Sequence, residues 1–334
     1  MLDFVCGHGI LYIMTQNMTE NAAKLTSIYA NRLFLAKLLN APYFQGIFLY
    51  KKTQVAQPKL ALERIASVLF PLPPLEEQAR IVAKIEQLLP HVEEYGKAEM
   101  ALSKLNAELP EQLKKSILQW AIQGRLVPQD PTDDPASELL KRIHAEKAAR
   151  IKSGKLKKET PLPPISEDEI PFDLPDNWSF ARLGSIVVNY DSKRRPVSKE
   201  KRKTEYGYYD YYGATGAIDK VDDYLFDGEY LMIGEDGGNF YTDRDNSFVA
   251  TGKFWANNHV HVVQPILLDI YYLKHFLDSC NLVKMGLING IAVPKLNQAN
   301  LNSIVVPIPP LAEQKRIVER TKSLLKLINV NIAN

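Results

Sequence analysis

From Ile81 onward, apolar residues recur at three- and four-residue intervals: Ile81, Ile85, Leu88, Val92, Tyr95, Leu102, Leu105, Leu109, Leu113, Ile117 and Trp120, with one longer step after Tyr95. That spacing places one apolar seam along a long helix. Pro90 and Pro110 are expected to kink or interrupt it, and Gly124 to cap its C-terminus. A shorter seam of Leu311, Ile317, Val318, Leu324, Leu325 and Ile328 follows near the end of the chain. Either each helix lies on its own domain, or the two pack together as an antiparallel coiled coil. The second arrangement is preferred, with Ile81 and Ile317 expected at one helix pair.

Between the seams the pattern changes twice. RLVPQDPTDDP reads as loop, Ala136 to about Lys155 as a basic exposed helix with Glu138 four residues before Arg142, and ETPLPPISEDEIPFDLPDNW as extended, proline-rich chain. From Trp178, aromatic and β-branched runs (SFARLGSIVV, YGYYDYYGATG, YLMIGEDGG, SFVATGKFW, NNHVHVV) predict strands, and ILLDIYYLKHFLDSC returns to helical spacing. The class expected is α+β.

The two seams belong to an internal repeat. PLPPLEEQARIVAKIEQLL at 71–89 returns as PIPPLAEQKRIVERTKSLL at 307–325, identical at 11 of 19 positions with an offset of 236. In the same register Ala56, Pro58, Lys59, Leu60 and Ser67 match Ala292, Pro294, Lys295, Leu296 and Ser303. So long a period requires a unit of a whole domain plus its connector. Subtracting 236 from Trp178 gives a position before Met1, so the first copy is expected to lack its front half.

Composition fits a folded globular chain: 46% hydrophobic, 24% charged. Cys6 and Cys280 lie far apart without a CxxC pair, which argues against a disulfide framework or a structural zinc. No basic leader precedes an apolar stretch and no run reaches the ~18 apolar residues of a membrane helix, so the cytoplasm is the expected location. The net charge of +2 says less than its distribution. Residues 161–310 carry 14 basic and 20 acidic groups, yet KRRPVSKEKRK at 193–203 holds seven basic residues and one acid.

That run, with Lys193, Arg194, Arg195, Lys199, Lys201, Arg202 and Lys203, has the density of a phosphate-contacting loop. Tyr206, Tyr208, Tyr209, Tyr211 and Tyr212 follow it and suit either base contacts or the buried face of a strand. GEDGGN at 234–239 lacks the GxxxxGK[ST] pattern of a phosphate loop. His259 and His261 share a strand face, where hydrogen-bonding or core roles are preferred to metal ligation. Glu313 and Lys315 resemble a nuclease pairing but read better as helix surface. Catalytic motifs of the GxSxG, GxGxxG and HExxH types are absent from the sequence.

Together, the duplicated PLPPLEEQARIV/PIPPLAEQKRIV, GRLVPQDPTDDPASELL, FDLPDNWSFARLG and GIAVPKLNQANL resemble the specificity subunit of type I restriction-modification systems. The resemblance implies mixed α/β target-recognition domains joined by long antiparallel spacer helices. Segments 1–70 would be the C-terminal part of an incomplete first recognition domain, 71–124 the central spacer helix, 125–170 a connector, 171–310 the second recognition domain and 311–334 the distal spacer. It implies double-stranded DNA as ligand, with methyltransferase (modification) subunits using S-adenosylmethionine and a restriction subunit using ATP and magnesium as partners. This chain would bind none of those cofactors and no metal, would be non-catalytic, and would act away from any membrane. Alongside the basic loop, Lys253, Asn257, Asn258, Asn289 and Lys295 are further DNA-contact candidates. Ile81, Ile85, Leu88, Val92, Ile317, Val318, Leu324 and Ile328 are the expected spacer interface. The incomplete first domain would be either a truncation or a half completed by another chain. An assembly scaffold that no longer reads DNA is the alternative.

Overall fold

The structure, a computed structural model, describes residues 2–7, 10–15, 23–25, 30–51, 60, 64–65, 67–202, 207–242, 244–290 and 293–332. Two compact units, Met1–Leu105 and Asn106–Asn334, divide the chain within its longest helix. In the first, β1 (Leu2–Gly7), β2 (Ile10–Thr15) and β3 (Ala23–Leu25) make an antiparallel sheet. Helix α1 (Arg32–Asn40) starts where the Asn31 side chain accepts from the Leu33 and Phe34 amides, pairing two N–H groups that the helix itself leaves open. It is followed by α2 (Pro42–Lys51). Leu39, Phe44, Phe48 and Val68 form a small core, with Phe70 stacked on Phe44 at 5.1 Å.

Helix α3 (Leu75–Ile122) carries the long seam and runs uninterrupted through Pro90 and Pro110, contrary to the expected break. Each proline withholds one N–H from the carbonyl four residues earlier, at Glu86 and Asn106, and both of those residues are exposed to water. The helix ends as expected at Gly124, whose φ is +69°. The Arg125 amide reaches back to the Trp120 carbonyl and that of Gly124 to Ala121, the paired bonds of a Schellman cap. A side chain at Gly124 would also collide with Pro175, because a Cβ there falls 2.5 Å from the ring.

In the second unit α3 is followed by α4 (Ala136–Lys152). It is not simply an exposed basic helix: Ala136, Leu139 and Ile143 are buried in the main core, and Glu138 pairs with Lys141 at 2.7 Å rather than with Arg142. Strand β4 (Ser179–Arg182), helix α5 (Leu183–Ile186) and β5 (Val187–Asn189) follow. Next come α6 (Lys199–Arg202), β6 (Tyr209–Gly213), β7 (Gly216–Val221), β8 (Phe226–Gly234), β9 (Ser247–Ala256) and β10 (Val260–Pro265). The chain continues through α7 (Ile270–Ser279), β11 (Ile288–Asn289), β12 (Lys295–Leu296), α8 (Gln298–Ser303), β13 (Val305–Ile308) and α9 (Leu311–Ile332).

Six strands form one mixed sheet, ordered β5-β10-β8-β9-β6-β7, in which β6 and β9 are the parallel pair. Alternation along β8 divides two cores. Leu231 and Ile233 face α7 and the main core, while Tyr230 and Met232 face an aromatic layer with Phe226 and Phe254. A strand buried on both faces reads as the continuous run YLMI rather than as an alternation. Strand β13 pairs antiparallel with β4, from Val305 opposite Arg182 to Ile308 opposite Ser179. This is the α+β class expected. No helix among the described residues is long and apolar enough to cross a membrane.

Candidate nucleic-acid interface

The turn after β5 sets the site. Asp191 accepts from the Val262 amide at 2.9 Å, from His261 Nδ1 at 2.6 Å and from Asn189 Nδ2 at 3.1 Å. His261 is buried, and its Nε2 donates to the Leu296 carbonyl at 2.7 Å. Both ring nitrogens therefore face acceptors. Arg194 donates to Glu235 at 2.5 Å and to the Val260 carbonyl at 2.7 Å, and lies 3.4 Å from Asp191. Lys295 completes the set on Glu235 at 2.8 Å. Burial opposes ionisation of Asp191, yet His261 and Arg194 outweigh it and hold the carboxyl below its ordinary pKa. Glu235 behaves alike: burial raises it, and Lys295 with Arg194 bring it below the usual range.

Asp191, Glu235 and His261 place possible ligand atoms within 4.8 Å of one another. Two protein cations already sit on those carboxylates and the imidazole already spends Nε2 on a carbonyl, so the donor set does not fit a metal. The cluster ties the ends of β5, β8 and β10 to β12, and the basic segment hangs from it.

Arg194 is turned into this network and is unavailable to a groove, which corrects its expected role. Arg202 is also inward, 4.7 Å over the Tyr211 ring and 3.6 Å from Asp219. Lys193, Arg195, Lys199 and Lys201 are exposed. The Arg195 backbone is strapped to β9, its amide donating to the Ala256 carbonyl and its carbonyl accepting from Trp255 Nε1 at 2.7 Å. Lys193 leans over Tyr190 at 4.9 Å. Lys203 lies outside the described residues, as does Tyr206.

The tyrosines resolve mainly in favour of the strand face. Tyr211 is 2% exposed beneath the basic segment, its hydroxyl accepting from the Val197 amide. Tyr212 points the other way and packs on Phe248 and Phe254. Tyr209 lies against Tyr224, which leaves Tyr208, 75% exposed, as the free ring among the described residues of the run.

The weaker candidates separate. Asn257 is buried, its side chain accepting from the His259 amide, whereas Asn258 is exposed above Arg194. The His259 ring is held by Asp236. Asn289 is exposed and lies opposite Lys295 in register. Lys253 stands apart, over Tyr224 at 4.5 Å and opposite Asp227. The GEDGGN glycines serve packing: a Cβ at Gly234 would fall 3.0 Å from Gly238 Cα, and one at Gly238 2.9 Å from the Phe240 ring. Asp191 and Glu235 escaped the sequence reading, although each is a carboxylate closing an apolar strand, where an unpaired charge would be costly.

The spacer contacts also differ from expectation. Ile81 and Ile85 are half-buried and Leu88 and Val92 exposed in the first unit, while Ile317 is buried on Ala121, Trp178 and Tyr272. Ile317 thus meets the C-terminal end of α3, within the second unit. Glu313 is not helix surface either: at 1% exposure it accepts from Trp178 Nε1 at 2.9 Å and from Gln129 at 2.5 Å. The C-terminus of α3 and the N-terminus of α9 thus meet at Trp178 and leave it side by side, antiparallel. Leu324 and Ile328 face Leu109, Leu113 and Trp120 across an apolar groove of about 1100 Å³.

The profile of a family described as type I restriction modification DNA specificity domain matches residues 8–99 and 175–334. The specificity subunit of the type I restriction enzyme EcoAI from Escherichia coli is 31% identical over 323 aligned residues, covering 78% of this chain and 54% of that one. A putative counterpart from Haemophilus influenzae is 38% identical over 146 residues, 43% of this chain and 37% of its own. The HsdS subunit from Thermoanaerobacter tengcongensis superposes with a TM-score of 0.49 at 18% identity, over 92% of this chain and 66% of that one. The chain thus spans about half the length of the EcoAI subunit and a smaller share of the Haemophilus protein.

Proposed function

Since the chain belongs to the type I restriction modification DNA specificity domain family, we propose that it reads duplex DNA through the domain at 171–310 and positions modification and restriction subunits on that DNA. The observation carrying this reading is the exposed set of Lys193, Arg195, Lys199 and Lys201, mounted on a buried ionic network that fixes its backbone. Cations held in register gain phosphate contacts without ordering a loop at the moment of binding. Tyr208, Asn258 and Asn289 are the side chains offered beside them for base edges or stacking. The chain supplies recognition, and its partners supply the methyl-transfer and cleavage chemistry; the cytoplasm is the compartment where such a complex meets DNA.

The test is co-expression with a type I modification subunit, followed by mapping of newly methylated bases. A defined methylated motif is expected, and it should vanish when Lys193, Arg195, Lys199 and Lys201 are all replaced by Ala although the protein complex still purifies. A complex that forms with the unaltered chain and methylates nothing would instead make this chain a scaffold.

A further inference from the structure

A second basic segment lies outside the domain at 171–310. Residues 141–158, KRIHAEKAARIKSGKLKK, hold eight lysines and arginines against one glutamate. In the folded chain these cations divide. Lys141, Lys147 and Arg150 are spent on Glu138, Glu159 and Glu146 at 2.7, 2.8 and 2.7 Å. Arg142, Lys152, Lys155, Lys157 and Lys158 are exposed and form no ion pair among the described residues. Lys152 complements the C-terminal dipole of α4, but Arg142 lies mid-helix and the other three lie beyond the helix, so the dipole does not account for them.

The backbone that carries these cations is fixed. Helix α4 closes with Gly154 at φ +74°, where the Lys155 amide reaches the Arg150 carbonyl and the Gly154 amide that of Ile151, each at 3.0 Å. These are the paired bonds of a Schellman cap. Leu156 follows and packs against the main core, so the turn cannot lift without exposing it. Lys147 Nζ ties α4 to the carbonyls of Gly184 and Val187 at 2.6 and 3.2 Å, at the start of β5. The basic loop at 193–203 follows the other end of that strand, so the two basic segments are separate surfaces of one unit.

The surroundings of the cations select their partner. Between Trp120 and Ile170 no large apolar side chain is exposed among the described residues. A protein interface has an apolar or aromatic core, and a single nucleic-acid strand needs rings on which its bases stack. Cations displayed without either suit the phosphate rows of a duplex, which offer charge and no apolar face. We propose that Arg142, Lys152, Lys155, Lys157 and Lys158 form a sequence-independent phosphate-binding surface for duplex DNA, outside the domain that reads bases. It shares its ligand with the reading proposed above, and to that extent rests on it, but uses none of the same residues.

The probe is a fluorescein-labelled duplex of scrambled sequence, titrated with the full chain over a range of salt concentrations. In a connector variant the five cations are replaced together by Gln; in a loop variant Lys193, Arg195, Lys199 and Lys201 are. Each phosphate contact adds about 0.9 to the slope of log K against log salt, so the connector variant should lose about 3 to 4 of its magnitude. Its thermal transition should be unchanged, because the replaced side chains are exposed. Co-expressed with a modification subunit, it should direct methylation to the same motif as the unaltered chain. An unchanged slope in the connector variant beside a reduced one in the loop variant would overturn this surface and leave the reading through 171–310 standing. Loss confined to the connector variant would support the surface and count against that reading, and no binding by the unaltered chain would overturn both. A changed motif, or normal duplex binding with loss of the modification subunit, would also overturn the proposal, the latter in favour of an acidic protein partner.

Discussion

At the first junction, where the repeat enters α3, Gln78 is engaged and Glu77 is exposed; at the second, where it enters α9, Gln314 works beside a buried Glu313, Trp178 and a paired strand. Gln78 accepts from the amide of Asn31, the cap of α1, and donates to the Pro73 carbonyl; Gln314 does the same with Asp269, the cap of α7, and Pro309, so α1 and α7 are counterparts. The glutamine is satisfied by backbone groups of its own unit, so near-identical sequence yields identical geometry. The glutamate depends on a tryptophan many residues upstream, so the same motif residue is exposed in one copy and buried in the other. Identity of a motif fixes local bonds, whereas burial is fixed by what arrives from elsewhere in the chain.

That contrast can be broken by mutation. Trp178→Ala should cost about 3–5 kcal/mol in denaturant unfolding of the second unit, through a cavity on Ala121, Tyr272 and Ile317. An effect under about 1 kcal/mol would mean the second junction is as loose as the first. Glu313→Ala leaves the Trp178 and Gln129 donors without their acceptor and should cost about 1–3 kcal/mol, against within about 0.5 for Glu77→Ala. Gln78→Ala and Gln314→Ala should cost alike; unequal losses would contradict the shared clamp.

The counterparts α1 and α7 also differ in charge. His275 stands where the first copy has Lys37, and burial, aided by Lys274, pushes its pKa from 6.5 down to about 4. In that interval the unfolded chain binds the proton and the folded chain does not, so stability is full above 6.5 and falls as pH drops toward about 4. His275→Gln should flatten that slope in unfolding curves taken across the interval. The smallest effect is expected from Arg195→Ala alone: the slope of log K against log salt for duplex DNA should lose about 1 in magnitude, with no change in folding.

Much of this architecture was legible from residues. The duplicated seam gave both helices, Gly124 gave the end of α3, and the period-two tyrosines gave a buried strand face. Pairings between distant segments were not: nothing local tells Ile317 to pack on Ala121, or Arg194 to turn inward while Arg195 stays out. Charge density located the basic segment, and the buried carboxylates Asp191 and Glu235, far apart in sequence, decided which of its cations remain exposed.

Amide exchange of the full chain alone tests most directly whether one junction is open and the other closed. Segment 69–72 should exchange at least about a hundredfold faster than 305–308, whose amides lie in the β13–β4 pair. Equal, strong protection of both segments would contradict the account.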